Sequence, residues 1–258
     1  MIICGHAFGL FFSTCDNLEN FKMSTPEPKA QITHVIFDMD GLLIDTERLY
    51  TIVYDKVCGK YGKTFTWEIK QKLMGRKTME SAQMIIDILK LPVNAEQWVR
   101  EISDEMTTIM PDAKLLPGAD RFVRHLHKHS IPIAVATGSS TPAYDLKTTH
   151  HKDFFNLFHH IVCSGDDLAV HHGKPAPDIF QVASNRFKEN PPASPRNVLV
   201  FEDAPNGVLS GKAADMWVVM IPDERLIGTD DTISADQVLK NMEDIIPEEW
   251  GLPPFNQS

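Results

Sequence analysis

Asp38 and Asp40 stand two positions apart in Asp38-Met39-Asp40-Gly41, directly after the apolar run Val35-Ile36-Phe37. On an extended segment, side chains two apart project to one side, so this spacing gathers two carboxylates at a strand end. A divalent cation would relieve the repulsion between them. Acidic residues also begin ordinary turns, and a similar spacing opens a calcium loop. The calcium reading fails here because no acidic residue follows in the register of the later ligands.

Three later segments also place polar groups at the ends of apolar runs. Ala136-Thr137-Gly138-Ser139 offers a hydroxyl and free backbone amides at a strand-to-helix turn, which can hold a phosphate. Ser139, Ser140 and Thr141 would equally suit a helix N-cap. In Gly173-Lys174-Pro175 a lysine precedes a helical pattern, where a solvated surface residue is the ordinary outcome. Phe201-Glu202-Asp203 ends another apolar run in a carboxylate pair, with Gly207 a few residues on. The eleven histidines offer a rival metal story, in pairs such as His159-His160 and in the alternating His125, His127 and His129. Neighbours on a helix point apart and i,i+2 positions do not share a face. They read as surface or supporting residues, and a zinc site is not expected.

The elements that must position these groups alternate. Apolar runs at Val35–Phe37, Ile131–Thr137, Val198–Phe201 and Trp217–Ile221, with His160–Cys163 as a further candidate, read as buried parallel strands. Helical patterns fall between them, with Phe122, Val123 and Leu126 on one face and Phe180, Ala183 and Phe187 on another. This predicts an α/β fold, a doubly wound parallel (Rossmann-like) sheet whose ligands bind outside the carboxyl ends of the strands. Residues 49–113 break the alternation. Their stripes, Met84 with Ile85, Ile86, Ile88 and Leu89, then Trp98, Ile102 and Met106, predict a small helical cap inserted between core segments 31–48 and 114–258.

With 258 residues, 43% of them hydrophobic, the chain can bury a core without staples. Cys4, Cys15, Cys58 and Cys163 form no CxxC pair, which favours a reducing compartment and a cytoplasmic location. The net charge of -10 and the scattered basic residues argue against nucleic acid. No run approaches the roughly 20 apolar residues of a membrane helix, so no membrane partner is expected. Residues 1–30 read as a flexible N-terminal extension. A monomer acting on a small phosphorylated metabolite is the expected form.

Taken together, the four segments resemble the haloacid dehalogenase superfamily, over about residues 33–222. Asp38 and Asp40 match its first motif, Thr137 its second, Lys174 its third and the Glu202-Asp203 pair its fourth. The resemblance implies that Asp38 is a nucleophile forming an aspartyl-phosphate, and that Asp40 is the general acid and then the base. It implies Mg2+ held by Asp38, the main-chain carbonyl of Asp40, and Asp203, with Glu202 supporting through water. Thr137, with the amides of Gly138 and Ser139, would bind the transferring phosphoryl group, and Lys174 would clamp it to Asp38.

Asp40 also separates reaction classes. A departing halide needs no proton, so an acid two residues after the nucleophile implies phosphoryl transfer. A sugar-phosphate mutase keeps the same aspartate and stays open, whereas the ATPase relatives need domains for which this chain has no room. A phosphate-binding regulatory protein would be expected to have lost one of the reacting groups. In the cap, Gly75-Arg76-Lys77-Thr78 is the loop expected to face the site, with Arg76 and Lys77 meeting substrate, although a surface helix start reads equally well. FDMDGLLIDTERLY, HGKPAPDIF and LVFEDAPNGV are similar to the pseudouridine-5'-phosphatase branch, implying pseudouridine 5'-phosphate as substrate. Ala214-Asp215 stands where that family usually has Ala-Gly, and TGSS is less serine-rich than its second motif.

Overall fold

The computed structural model describes residues 30–73 and 78–255. Among these residues there are six strands, the first five on apolar runs: β1 (His34–Phe37), β2 (Ile133–Thr137), β3 (His160–Cys163), β4 (Val198–Glu202), β5 (Trp217–Met220) and β6 (Gln237–Val238). They pair in parallel throughout, in the order β3-β2-β1-β4-β5-β6. Only β6, two residues without an apolar run, escapes the hydrophobic pattern. Sequence order reverses on either side of β1, which puts the topological switch point between β1 and β4.

Side-chain alternation sorts the core into two layers. Val35 and Phe37 of β1, Val135 of β2 and Phe201 of β4 pack on one face against α5 (Ala119–Lys128) through Phe122, Val123 and Leu126. Ile36, Ala134, Val200 and Val218 point the other way, onto Ile179, Phe180 and Ala183 of α8 (Asp178–Asn185) and Val208 of α9 (Pro205–Ala213). Two shorter helices, α6 (Thr141–Lys147) and α7 (Lys152–Phe155), follow β2.

Among the described residues four α-helices lie between β1 and α5, namely α1 (Thr46–Lys60), α2 (Trp67–Leu73), α3 (Thr78–Leu89) and α4 (Ala95–Ile109). The start of α1 precedes residue 49, so its first turn belongs to the stretch assigned above to the core. Asp45 and Asn94 cap α1 and α4, accepting from the amides of Arg48 and Gln97. Trp98 and Ile102 of α4 and Ile85 and Ile86 of α3 are buried, whereas Ile88 is 38% exposed and leaves the predicted stripe. The chain leaves and re-enters the sheet layer side by side. Asp45 N donates to Lys114 O at 2.8 Å, and Leu116 N donates to Leu43 O at 2.9 Å, closing an antiparallel bridge at Ile44 and Leu115. Among the described residues no helix is long and apolar enough to cross a membrane. Residues 1–29 and the Arg76-Lys77 loop lie outside the described residues.

Several histidines hold the fold together through main-chain carbonyls. Nε2 of His125 bonds Pro253 O at 2.8 Å, and Nε2 of His151 bonds Ala113 O at 2.7 Å, so each joins distant chain segments. His34 is buried at the foot of β1, its Nε2 donating to Asn190 O at 2.6 Å and its Nδ1 facing the Thr33 hydroxyl at 2.7 Å. Burial holds the His34 imidazole below its ordinary value of 6.5, against the pull of the Asn190 carbonyl. The unfolded chain therefore binds the extra proton first on acidification, and this stability is fully present above the unfolded value and lost as pH falls below it. Between about pH 7.5 and about pH 5, the stability advantage of wild type over His34→Gln in urea melts should shrink. A constant advantage would refute this linkage.

Candidate active site

The carboxyl ends of β1, β2 and β4 converge at the switch point. Phe37 pairs with Val135 on one side and Phe201 on the other, and Asp38 N donates to Phe201 O at 2.9 Å. This register sets Asp38 between Ala136 and Glu202. The segment after it folds back tightly, with the amides of Leu43 and Ile44 donating to Met39 O and Gly41 N donating to Ile44 O. Gly41 adopts φ +81°, and a Cβ there would collide with the Asp203 carboxylate. The buried Met39 side chain anchors the turn, while Asp38 and Asp40 open on the cleft.

Two lysines organise the carboxylates. Lys174, ahead of α8, donates to Asp38 Oδ1 at 2.5 Å, Glu202 Oε1 at 2.5 Å and Ala136 O at 3.3 Å. Glu202 in turn accepts through Oε2 from the amides of Asp203 and Ala204. The surface-lysine reading of Lys174 is thereby excluded. Lys147, at the end of α6, donates to Asp40 Oδ1 at 2.6 Å and to Ser139 Oγ at 2.8 Å. Asp40 Oδ2 accepts from Ser139 Oγ at 2.9 Å and from Thr137 Oγ1 at 3.2 Å. Sequence reasoning missed Lys147, because a lysine in the last turn of a helix is the ordinary partner of the helix dipole.

Burial pushes the Asp38 carboxyl up to about 7, with Glu202 and Asp40 adding to the effect and Lys174 opposing it. Burial raises Asp203 well above the carboxylate range too, reinforced by Glu202, Asp38 and Glu47. Asp40 goes the other way: burial alone would raise it, but the Lys147 ammonium and the surrounding hydrogen bonds hold it below its ordinary value. For both lysines the neighbouring carboxylates outweigh burial and keep the ammonium charged.

A cleft of about 810 Å³ opens over these groups, with Glu47 and Tyr50 of α1, Gln71 of α2 and Asn206 of α9 in its walls. Gly138 and Ser139 line it as well. Thr137 is fully buried, its hydroxyl donating to Asp40 and accepting from Ser139 N at 3.1 Å, so in this structure it braces the loop. Gly207 lies against Glu202 so closely that a Cβ would overlap the carboxyl group. Gly207→Ala should therefore displace Glu202 from Lys174, lowering stability by about 1–3 kcal/mol and activity by about tenfold or more. A melting curve and a turnover assay would check this, and wild-type behaviour in both would contradict it.

The donor set suits a hard divalent cation. Among the described residues no three His, Cys, Asp or Glu side chains form a ready-made ligand cluster. Asp38 and Asp203, the carboxylates that the resemblance assigns to the cation, both line the cleft. No hydrogen-bond donor among the described residues reaches the Asp203 carboxylate, whose pKa burial and then the neighbouring carboxylates raise. Oxygen donors with room for water match Mg2+ better than Zn2+.

The haloacid dehalogenase-like hydrolase family model matches residues 32–215. The chain is 50% identical to (DL)-glycerol-3-phosphatase 1, mitochondrial, of Arabidopsis thaliana, over 91% of this chain and 78% of that one. It is 45% identical to the Drosophila melanogaster protein named "Probable pseudouridine-5'-phosphatase", over 87% of this chain and 96% of that one. A HAD family hydrolase of Deinococcus radiodurans R1, solved with bound phosphate and sodium, shares the fold at TM-score 0.72 and 21% identity, over 88% of this chain and 100% of that one. The parallel sheet, the carboxylates at its switch point and these similarities agree, and the chain belongs to the haloacid dehalogenase-like hydrolases, among the phosphatases of that family.

Proposed function

We propose that the protein is a Mg2+-dependent phosphomonoesterase working through an aspartyl-phosphate on Asp38. The observation that carries this reading is the opening of Asp38, paired with Lys174, and Asp40, held by Lys147, onto one cleft at the switch point. An Asp38 carboxylate oxygen attacks phosphorus and the bond to the ester oxygen breaks. Asp40, ionised in the free protein beside Lys147, must take up a proton as the negative ester binds and offsets that ammonium. It gives this proton to the departing alkoxide, then takes one from the water that attacks the phospho-aspartate, releasing phosphate and restoring Asp38. The Gly138 amide receives phosphoryl oxygens, on the loop that Thr137 and Ser139 brace through the Ser139 N to Thr137 Oγ1 bond. Ser139 would join it only by giving up its bonds to Thr137 and Asp40. Lys174, fixed by Glu202, offsets their charge next to Asp38. Asp38, Asp203 and the Asp40 carbonyl would hold Mg2+, which when bound would supply neutralising positive charge for the phosphate dianion.

In this reading residues 31–48 and 114–258 form the catalytic core, 49–113 form the cap that chooses the substrate, and Arg76 and Lys77 lie on its substrate side. The protein acts as a cytoplasmic monomer on a small phosphorylated metabolite. Pseudouridine 5'-phosphate is the substrate favoured by the segments around the motifs. Glycerol 3-phosphate is a second reading, favoured by the 50% identity to a plant protein named for it. Both are primary phosphate esters of hydroxylated carbon chains.

Inorganic phosphate release from a panel holding both esters, UMP and hexose phosphates, with magnesium and with chelator, tests the proposal. Magnesium-dependent release led by one of the two esters selects between them, and no release from any would overturn the phosphatase reading. Metal binding has its own readout. Mg2+ at a hundredfold excess over its Kd should stabilise the protein by about 2.7 kcal/mol, and Asp203→Asn should abolish most of that rise in melting temperature.

A further inference from the structure

Lys147 takes part in no motif, yet its side chain is only 2% exposed. A lysine at that depth requires specific partners. Its Nζ donates to Asp40 Oδ1 and Ser139 Oγ, and it lies 5.2 Å from the centre of the Tyr50 ring. Asp40 has about four acceptor positions on its two oxygens. Ser139 and Thr137 occupy Oδ2, and Lys147 occupies one position on Oδ1. No hydrogen bond among the described residues fills the other position on Oδ1; the buried Thr46 hydroxyl lies near the carboxylate but has no partner at hydrogen-bonding geometry.

We propose that Lys147 is a positioning residue for proton transfer, locking the Asp40 carboxylate against the Ser139 hydroxyl so that the remaining Oδ1 position meets the leaving-group oxygen and later the attacking water. The proposal rests on the acid/base reading of Asp40. It differs from a substrate clamp, because two of the three Nζ donors are already spent on the protein and little of the side chain is exposed. A short path carries this constraint. The Ser139 turn leads straight into α6, so the lysine at its far end returns beside the loop from which the helix began.

The test compares kcat/KM for two esters, 4-nitrophenyl phosphate, whose leaving group departs without a proton, and whichever alkyl phosphate the wild-type enzyme hydrolyses best. Lys147→Met should lose about 10- to 100-fold on the alkyl ester and far less on the aryl ester. Lys147→Arg should recover part of the alkyl loss. In the Asp40→Asn background, Lys147→Met should cost little more on the alkyl ester, because its effect passes through Asp40. Equal losses on both esters with raised KM would make Lys147 a phosphate ligand and overturn the proposal, as would fully additive losses in the double variant. If Asp40→Asn itself loses equally on both esters, the acid/base reading fails, a result distinguishable from failure of Lys147 alone. Should Lys147→Met not fold, the alkyl-to-aryl ratio of Lys147→Arg decides: an unchanged ratio overturns the proposal and a lowered one supports it.

Discussion

Asp38→Asn is expected to end turnover, with a loss on the order of 10⁴-fold or more, while the protein stays folded and melts at a higher temperature than wild type. The amide keeps the shape of the side chain but is a poor nucleophile, so no phospho-enzyme forms. The stability gain follows from electrostatics. Asp38 is buried beside Glu202 and Asp40, and burial with those neighbours pushes its carboxyl up to about 7. In metal-free protein near neutral pH, ionising it opposes folding, and the amide removes that penalty. Phosphate release and a melting curve without metal check the two halves separately. Retained turnover would remove the aspartyl-phosphate mechanism, and a lower melting temperature would mean that the Lys174 contact outweighs the crowding.

Lys174→Met is expected to lose both activity and stability. The ammonium is the shared partner of Asp38 and Glu202, whose side chains are 8% and 1% exposed. Removing one partner of a buried ion pair leaves uncompensated charge and costs about 3–5 kcal/mol, which for a chain of this size lowers the melting temperature by about 10 °C. Activity should fall by at least about 10³-fold, because nothing then offsets the phosphate charge beside Asp38. Thermal melts with and without Mg2+ separate the contributions, since a cation at Asp38 should restore part of the lost stability. A Lys174→Met protein as stable as wild type without metal would show that the buried carboxylates take up protons instead.

The site was legible in the sequence where its groups close an apolar run. Asp38, Thr137 and Glu202 sit at strand ends because β1, β2 and β4 are short and buried, and a polar residue closing such a run marks the carboxyl edge of the sheet. Lys174 is readable only through its companions, since its salt bridges reach Asp38 and Glu202 across 136 and 28 residues of chain. Lys147 was not readable at all. Its partner Asp40 is 107 residues away, and no local spacing separates it from any lysine at a helix end. The partners of the histidines were unreadable for a related reason: His34 and His125 bond the carbonyls of Asn190 and Pro253, which only the folded chain brings near.

Leu43–Asp45 and Lys114–Leu116 run antiparallel and hydrogen-bonded where the helical segment departs and returns. The two attachment points are therefore separated by a single strand spacing of about 5 Å, and everything from Thr46 onward hangs from them like a graft on one stem. Any foreign segment whose ends lie that close could be spliced in without changing the register of β1 with β2 or β4. If the insert chooses the substrate, as proposed, exchanging it between relatives should change the ester preference while leaving the phosphate chemistry beneath it in place.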